Sequence, residues 1–221
     1  MKEFILKDIA NVKIGFLTGR KKKVNVIKKV KRFSEAIIDE DLKEGNLDQN
    51  EIEENLITLK FFNEDTIKPN KEGIKKTIFV EESKHYFTKY YTKENDILVR
   101  LREPIEIAYI DKKFINLVIP FTVACIRIKE NYKNIVHPKF LAYYLKNPFI
   151  KKILASKKIG SFVKMIKKKD LEEIKIRLPD FNKQKKIVEL LELIDEKIKF
   201  INDLNKDYND LKIAIFKDYI F

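Results

Sequence analysis

Several residue groupings in this sequence have the types that catalysis uses, and their spacing tests each of them. Pro179-Asp180 followed by Asp195-Glu196-Lys197 has the residue order of a P-D…[D/E]-x-K nuclease. That chemistry needs the carboxylates and the lysine on neighbouring strands around a metal. Here the second half falls in a stretch that reads as helix, so the pattern is set aside. Asn147-Pro148-Phe149 approaches the N-P-P-[Y/F] loop with which amino-methyltransferases hold a flipped base, but the second proline is missing. A helix starting at Pro148 accounts for it, because proline loses nothing in a first helical turn. Asp39, Glu40 and Asp41 are adjacent acids, which on a helix point in different directions. His85, His137 and Cys125 are too few and too scattered for a zinc site. Gly15-Phe-Leu-Thr-Gly19-Arg-Lys21 has the wrong spacing for a phosphate-binding loop. No catalytic or metal-ligating residue is assigned, and no cofactor is expected on this chain.

The elements must therefore present charge and shape. The chain has 221 residues and a formal net charge of +13. Residues 181–221 carry eight Lys and eight Asp or Glu, so the excess lies wholly in residues 1–180. It is segregated there. Arg20–Arg32 holds eight basic residues and no acid, and Lys151–Lys169 does the same. Between them, residues 33–56 hold nine acids against Lys43 alone. Two distant basic runs suggest one positive surface assembled by folding, which attracts nucleic-acid phosphates through counterion release. The acidic stretch reads as solvated surface. One cysteine excludes an internal disulfide and fits a reducing compartment. No apolar run approaches the ~20 residues of a membrane span, and no leader opens the chain, so a cytoplasmic location is expected.

The chain reads as α+β. Val24–Val30, Ile78–Val80, Tyr86–Tyr91, Ile97–Leu101, Ile105–Ile110, Phe121–Ile128 and Ile174–Leu178 have strand composition. A helix is expected over Glu35–Lys43 behind Ser34, and Glu51–Asp65 fits helix or strand. Pro138–Leu145 and Pro148–Ala155 read as short helices with proline in the first turn, His137 leading into the first. Asp180 is a candidate cap. From Phe181 to about Tyr219 neither Gly nor Pro interrupts a helix of about 39 residues, ~58 Å long. Apolar residues recur at heptad spacing: Ile187, Leu190, Ile194, Ile201, Leu204, Tyr208, Leu211 and Ile215, with Lys197 and Asp218 as polar breaks. This is a coiled-coil seam in need of a partner.

The stretch Val136–Ile198 resembles the DNA-specificity (S) subunits of type I restriction–modification systems. The residues that carry it are His137-Pro-Lys-Phe-Leu-Ala-Tyr-Tyr-Leu-Lys-Asn-Pro148 and Ile159-Gly-Ser-Phe-Val-Lys164. Asp170-Leu-Glu-Glu-Ile-Lys-Ile-Arg-Leu-Pro179 and Gln184-Lys-Lys-Ile-Val-Glu-Leu-Leu-Glu-Leu-Ile-Asp-Glu-Lys-Ile198 continue it. Leu6–Ala10 with Gly15, and Asn95–Leu98, are similar to the family's weaker N-terminal landmarks. Lys183 stands before Gln184 where the family commonly has Glu. The resemblance implies a target recognition domain, here 1–180, that reads half of a split double-stranded DNA site. It implies a long helix, here 181–221, that scaffolds assembly with a modification subunit carrying S-adenosylmethionine and with a restriction subunit. DNA adenine is the family's usual methylation target.

The usual S subunit has this arrangement twice, so the chain corresponds to half of one. A homodimer through the seam is therefore expected, and antiparallel pairing is implied by the resemblance. DNA contacts are expected at Arg20, Lys21, Lys22 and Lys23, and at Lys157, Lys158, Ser161, Lys164 and Lys167 around Gly160. Arg100 and Arg102 are candidates for base reading or for ion pairs at a strand end. Two other readings compete: an interaction protein that heterodimerises with another specificity chain, and a stand-alone DNA-modifying enzyme.

Overall fold

The computed structural model describes residues 2–16, 51–80, 88–157 and 165–220. The elements expected over Val24–Val30 and Glu35–Lys43 lie outside them, as does His85. At the centre are β2 (Ala10–Ile14), β5 (Ile97–Arg100), β6 (Ile107–Tyr109) and β7 (Val123–Ile128), an antiparallel sheet in the order β2-β7-β5-β6. Both faces of this sheet are covered, which explains the near-continuous apolar runs of β5 and β7. Ile97, Val99, Ala124 and Ile126 point into one core, and Leu98, Val123 and Cys125 into the other, with the period of two that a pleat imposes.

The first core is closed by the helices α2 (Pro138–Lys146), α3 (Pro148–Ser156) and α4 (Lys168–Glu172). The second lies against the turns that flank the hairpin of β3 (Glu51–Ile57) and β4 (Ile74–Val80). The ambiguity over Glu51–Asp65 thus resolves into a strand followed by a 3-10 turn at Leu59–Phe61. Tyr86–Tyr91 is a correction: Thr88–Tyr90 forms a 3-10 turn instead of a strand. Its aromatic residue serves a tertiary contact, Tyr90 meeting Phe16 edge-on at 5.8 Å.

The chain start closes on its own later part. β1 (Lys2–Ile5) pairs antiparallel with β8 (Lys175–Leu178), and a single helical turn, α1 (Leu6–Ile9), leads into β2. Gly15 follows because a Cβ there would sit 2.2 Å from the Pro120 carbonyl oxygen. Asn95 adopts φ 69° in the turn before β5. Asp96 is fully buried, accepts from the Lys93 N–H at 2.7 Å, and grips Arg127 through two bonds of 2.6 Å. The family landmarks in this half are thus close-packing and turn residues.

The helix α5 (Phe181–Ile220) has 40 residues. Asp180 caps it, accepting from the Lys183 N–H at 2.9 Å. Gln184 is fully buried: its amide donates to the carbonyls of Ile135 and Pro179, and its oxygen accepts from the His137 N–H. Every hydrogen-bonding direction of that amide but one is used, so Gln184 latches the helix to the segment that opens α2. The unusual Lys183 beside it leaves this latch intact. Val188 enters the first core and Asp195 accepts from the Tyr143 hydroxyl at 2.7 Å, while Lys139 pairs with Glu192. The first half of α5 is therefore fastened to α2. From residue 199 to residue 217 every side chain is exposed.

Asp195 supplies a test of this fastening. Burial raises its pKa, against lowering pulls from Tyr143, Lys68 and Lys146. A carboxylate whose folded pKa lies above its unfolded one contributes stability that is lost as pH rises through the folded value. Asp195→Asn keeps an oxygen for Tyr143 and removes the buried charge. The variant should melt above the parent at pH 7, the gap closing as pH falls through the raised folded value and gone below ~4. A lower melting point at pH 7 would mean that Lys68 and Lys146 reward the charge.

Candidate nucleic-acid interface

Three of the candidate positive groups meet where strand β5 ends, Arg100 and Arg102 half-buried and Lys167 exposed. Leu101 is the junction: its N–H donates to the Thr122 carbonyl at 2.9 Å, and its carbonyl accepts from the Ile166 N–H at 3.0 Å. This lays residues 165–167, which follow the Gly160 segment, beside residues 100–102. Arg100, Arg102 and Lys167 are thereby brought together although more than sixty positions separate them in sequence. Lys157 ends the neighbouring helix α3. Arg20, Lys21, Lys22, Lys23, Lys158, Ser161 and Lys164 lie outside the described residues.

The two arginines differ. Arg100 is bonded into β5, its N–H donating to the Glu106 carbonyl, and its Nη2 donates to the Glu103 carbonyl at 3.0 Å. Burial lowers its pKa, with Glu106 and Glu64 opposing. Arg102 lays its guanidinium over the Phe121 ring, 5.5 Å from the centroid. No ion pair joins either arginine to an acid among the described residues. Both Nε atoms are buried without a partner.

Charge counting along the sequence overstates the second basic run. Lys151 is spent on Glu106, at 2.6 Å, together with Lys146 at 2.8 Å. Glu106 is only 3% exposed, a buried acid between two cations that no sequence spacing announces. Lys168 and Lys169 pair along their own helix with Glu172 and Glu173.

Asn147, His137, Cys125, Asp180 and Asp195 have structural roles. Asn147 caps α3, accepting from the Phe149 N–H at 2.9 Å. His137 leads into α2 and packs 5.9 Å from Phe181. Burial and then Asp96 raise the pKa of the Cys125 thiol, keeping it protonated and unreactive. Asp180 and Asp195 are held in the cap and in the contact with Tyr143 described above.

The remaining large exposed surface is the seam of α5. Leu190, Ile194, Ile201, Tyr208, Leu211 and Ile215 are each about half exposed or more, Leu204 is 40% exposed, and Ile187 is partly buried against the first core. At ~100° per residue this stripe begins about 100° round the helix from the face that Gln184, Val188 and Asp195 press on the domain. The domain therefore leaves the seam free.

The family model for the type I restriction modification DNA specificity domain matches residues 1–207. The chain belongs to that family. Three solved structures share the fold of this specificity domain. One is a chain from work on complex assembly and conformational transition of the type I R-M system, with 17% identity and a TM-score of 0.59 over 96% of this chain and 43% of that one. The HsdS subunit from Thermoanaerobacter tengcongensis has 15% identity and a TM-score of 0.54 over 76% of this chain and 42% of that one. The type I S subunit from M. genitalium has 15% identity and a TM-score of 0.52 over 96% and 44%. The specificity-domain chain thus spans less than half the length of each. No curated protein matches it.

Proposed function

We propose that the chain is a half-length specificity subunit. It reads one half-site of a split double-stranded DNA target, performs no chemistry of its own, and directs a methyltransferase subunit, with its S-adenosylmethionine, and a restriction subunit to that DNA. The observation that carries this reading is the family match, which runs through the β-rich domain and on into α5 as far as residue 207. Two copies pair through the seam of α5 to supply the two half-sites.

Pairing is antiparallel. A parallel, in-register pair would stack Lys197 on Lys197 and Asp218 on Asp218 within the core, and like charges there are costly. An antiparallel pair can set Ile201 against Leu204, Ile194 against Leu211, and Ile215 against Leu190 of the second copy. The two domains then read the same bases on opposite strands. A helix of 40 residues reaches ~60 Å, which caps the separation of half-sites at about 18 base pairs of ~3.4 Å.

The test is to map methylation by the complex of this chain with its cognate modification subunit. A twofold-symmetric, interrupted motif with a methylated adenine in each half is expected. A motif with unlike halves would replace the second copy by a different specificity chain. Absence of methylation at any defined motif would remove the DNA-reading role.

A further inference from the structure

Only six of the 47 basic residues are arginine. In a chain that uses lysine so freely, arginine marks places where a point charge does not suffice and a planar fork is needed. The described arginines bear this out in their contacts. Arg127 closes a two-bond fork on Asp96, and Arg177 bonds Glu3. Arg100 spends a nitrogen on the Glu103 carbonyl that braces the turn after β5. Arg102 differs, because no acid or carbonyl among the described residues takes its fork. Its guanidinium lies over the Phe121 ring, 5.5 Å from the centroid. An aromatic support that orients an unspent fork is an arrangement that favours an incoming planar acceptor pair.

Position supplies the acceptor. Arg102 follows Leu101, whose carbonyl holds the backbone of Ile166, so it stands beside the chain that emerges from the basic Gly160 segment. Resting on the DNA-reading function proposed above, we propose that Arg102 is a specificity-determining residue. It reads one guanine in each half-site through O6 and N7 in the major groove, with Phe121 as its positioning residue. Of the base edges that duplex DNA offers, the guanine edge is the one that matches the arginine fork with two hydrogen bonds.

The experiment is methylation mapping and competition between DNA duplexes by the assembled methyltransferase, with Arg102→Gln, Phe121→Leu and Lys157→Ala variants. For Arg102→Gln the motif should relax at one guanine per half-site while its other positions persist. Discrimination at that base pair should fall about 5- to 150-fold. Phe121→Leu leaves the guanidinium in place without its support, and should relax the same position by less. Lys157→Ala should weaken all sequences alike. An unchanged motif in Arg102→Gln overturns the inference, and so does uniform weakening with every base still required, which would make Arg102 a phosphate contact. Should Arg102→Gln fail to fold, Phe121→Leu decides by the same criterion. If the parental complex marks no defined motif, the underlying DNA-reading function fails instead.

Discussion

Ile194→Asp combined with Ile201→Asp should convert the proposed dimer to a monomer without lowering the melting point of the recognition domain. The two positions are 51% and 54% exposed within one chain, so the domain does not depend on them. In the proposed pair they face Leu211 and Leu204 of the second copy. Each dimer would then bury four carboxylates without counter-ions, at a cost of several kcal/mol per ion. Association built on a seam of this length cannot absorb that. Light scattering reads the mass and calorimetry reads the domain. A variant that stays dimeric would move the interface off the seam, and one that unfolds would mean that the seam packs on its own domain.

The largest single effect on folding is expected at Glu106. Its carboxylate is 4% exposed and holds Lys146 at 2.8 Å and Lys151 at 2.6 Å. Glu106→Ala leaves Lys146, itself 12% exposed, facing a second cation with no anion between them. Breaking a buried pair from one side costs about 3–5 kcal/mol, a large part of a typical total of about 5–15 kcal/mol. Urea unfolding should show the midpoint falling accordingly. Adding Lys146→Met should restore part of the loss, because it removes the stranded charge and fills the space. Full stability in Glu106→Ala would show that the two lysines reach solvent unaided.

The helices were legible because their signals are local. Pro138, Pro148 and Asp180 mark starts that need only the next turn, and the seam of α5 repeats every seven residues. The short helix α4 was missed, hidden in a lysine run, although Asp170 reaches back to the Lys167 N–H as a capping acid should. What stayed illegible depends on separation along the chain. Asp96 meets Arg127 across 31 positions, and Lys151 meets Glu106 across 45. A count of charges in a window cannot see either pair. The candidate interface shows the same division. Its lysines were visible as runs, whereas the meeting of Leu101 with Ile166 follows from how β5 and the segment before α4 are packed.

The bare outer half of α5 divides the molecule into two cooperative parts. The stretch from residue 199 to residue 217 touches nothing in its own chain that buries a side chain. A free helix of that length is marginal in water, because nucleation is costly and packing supplies most helical stability. The domain and the first half of α5 therefore fold as a first-order event, independent of protein concentration. The outer half gains its order by mass action, from whatever chain covers it. On dilution its helix is surrendered first, while the domain and the first half of α5 remain folded.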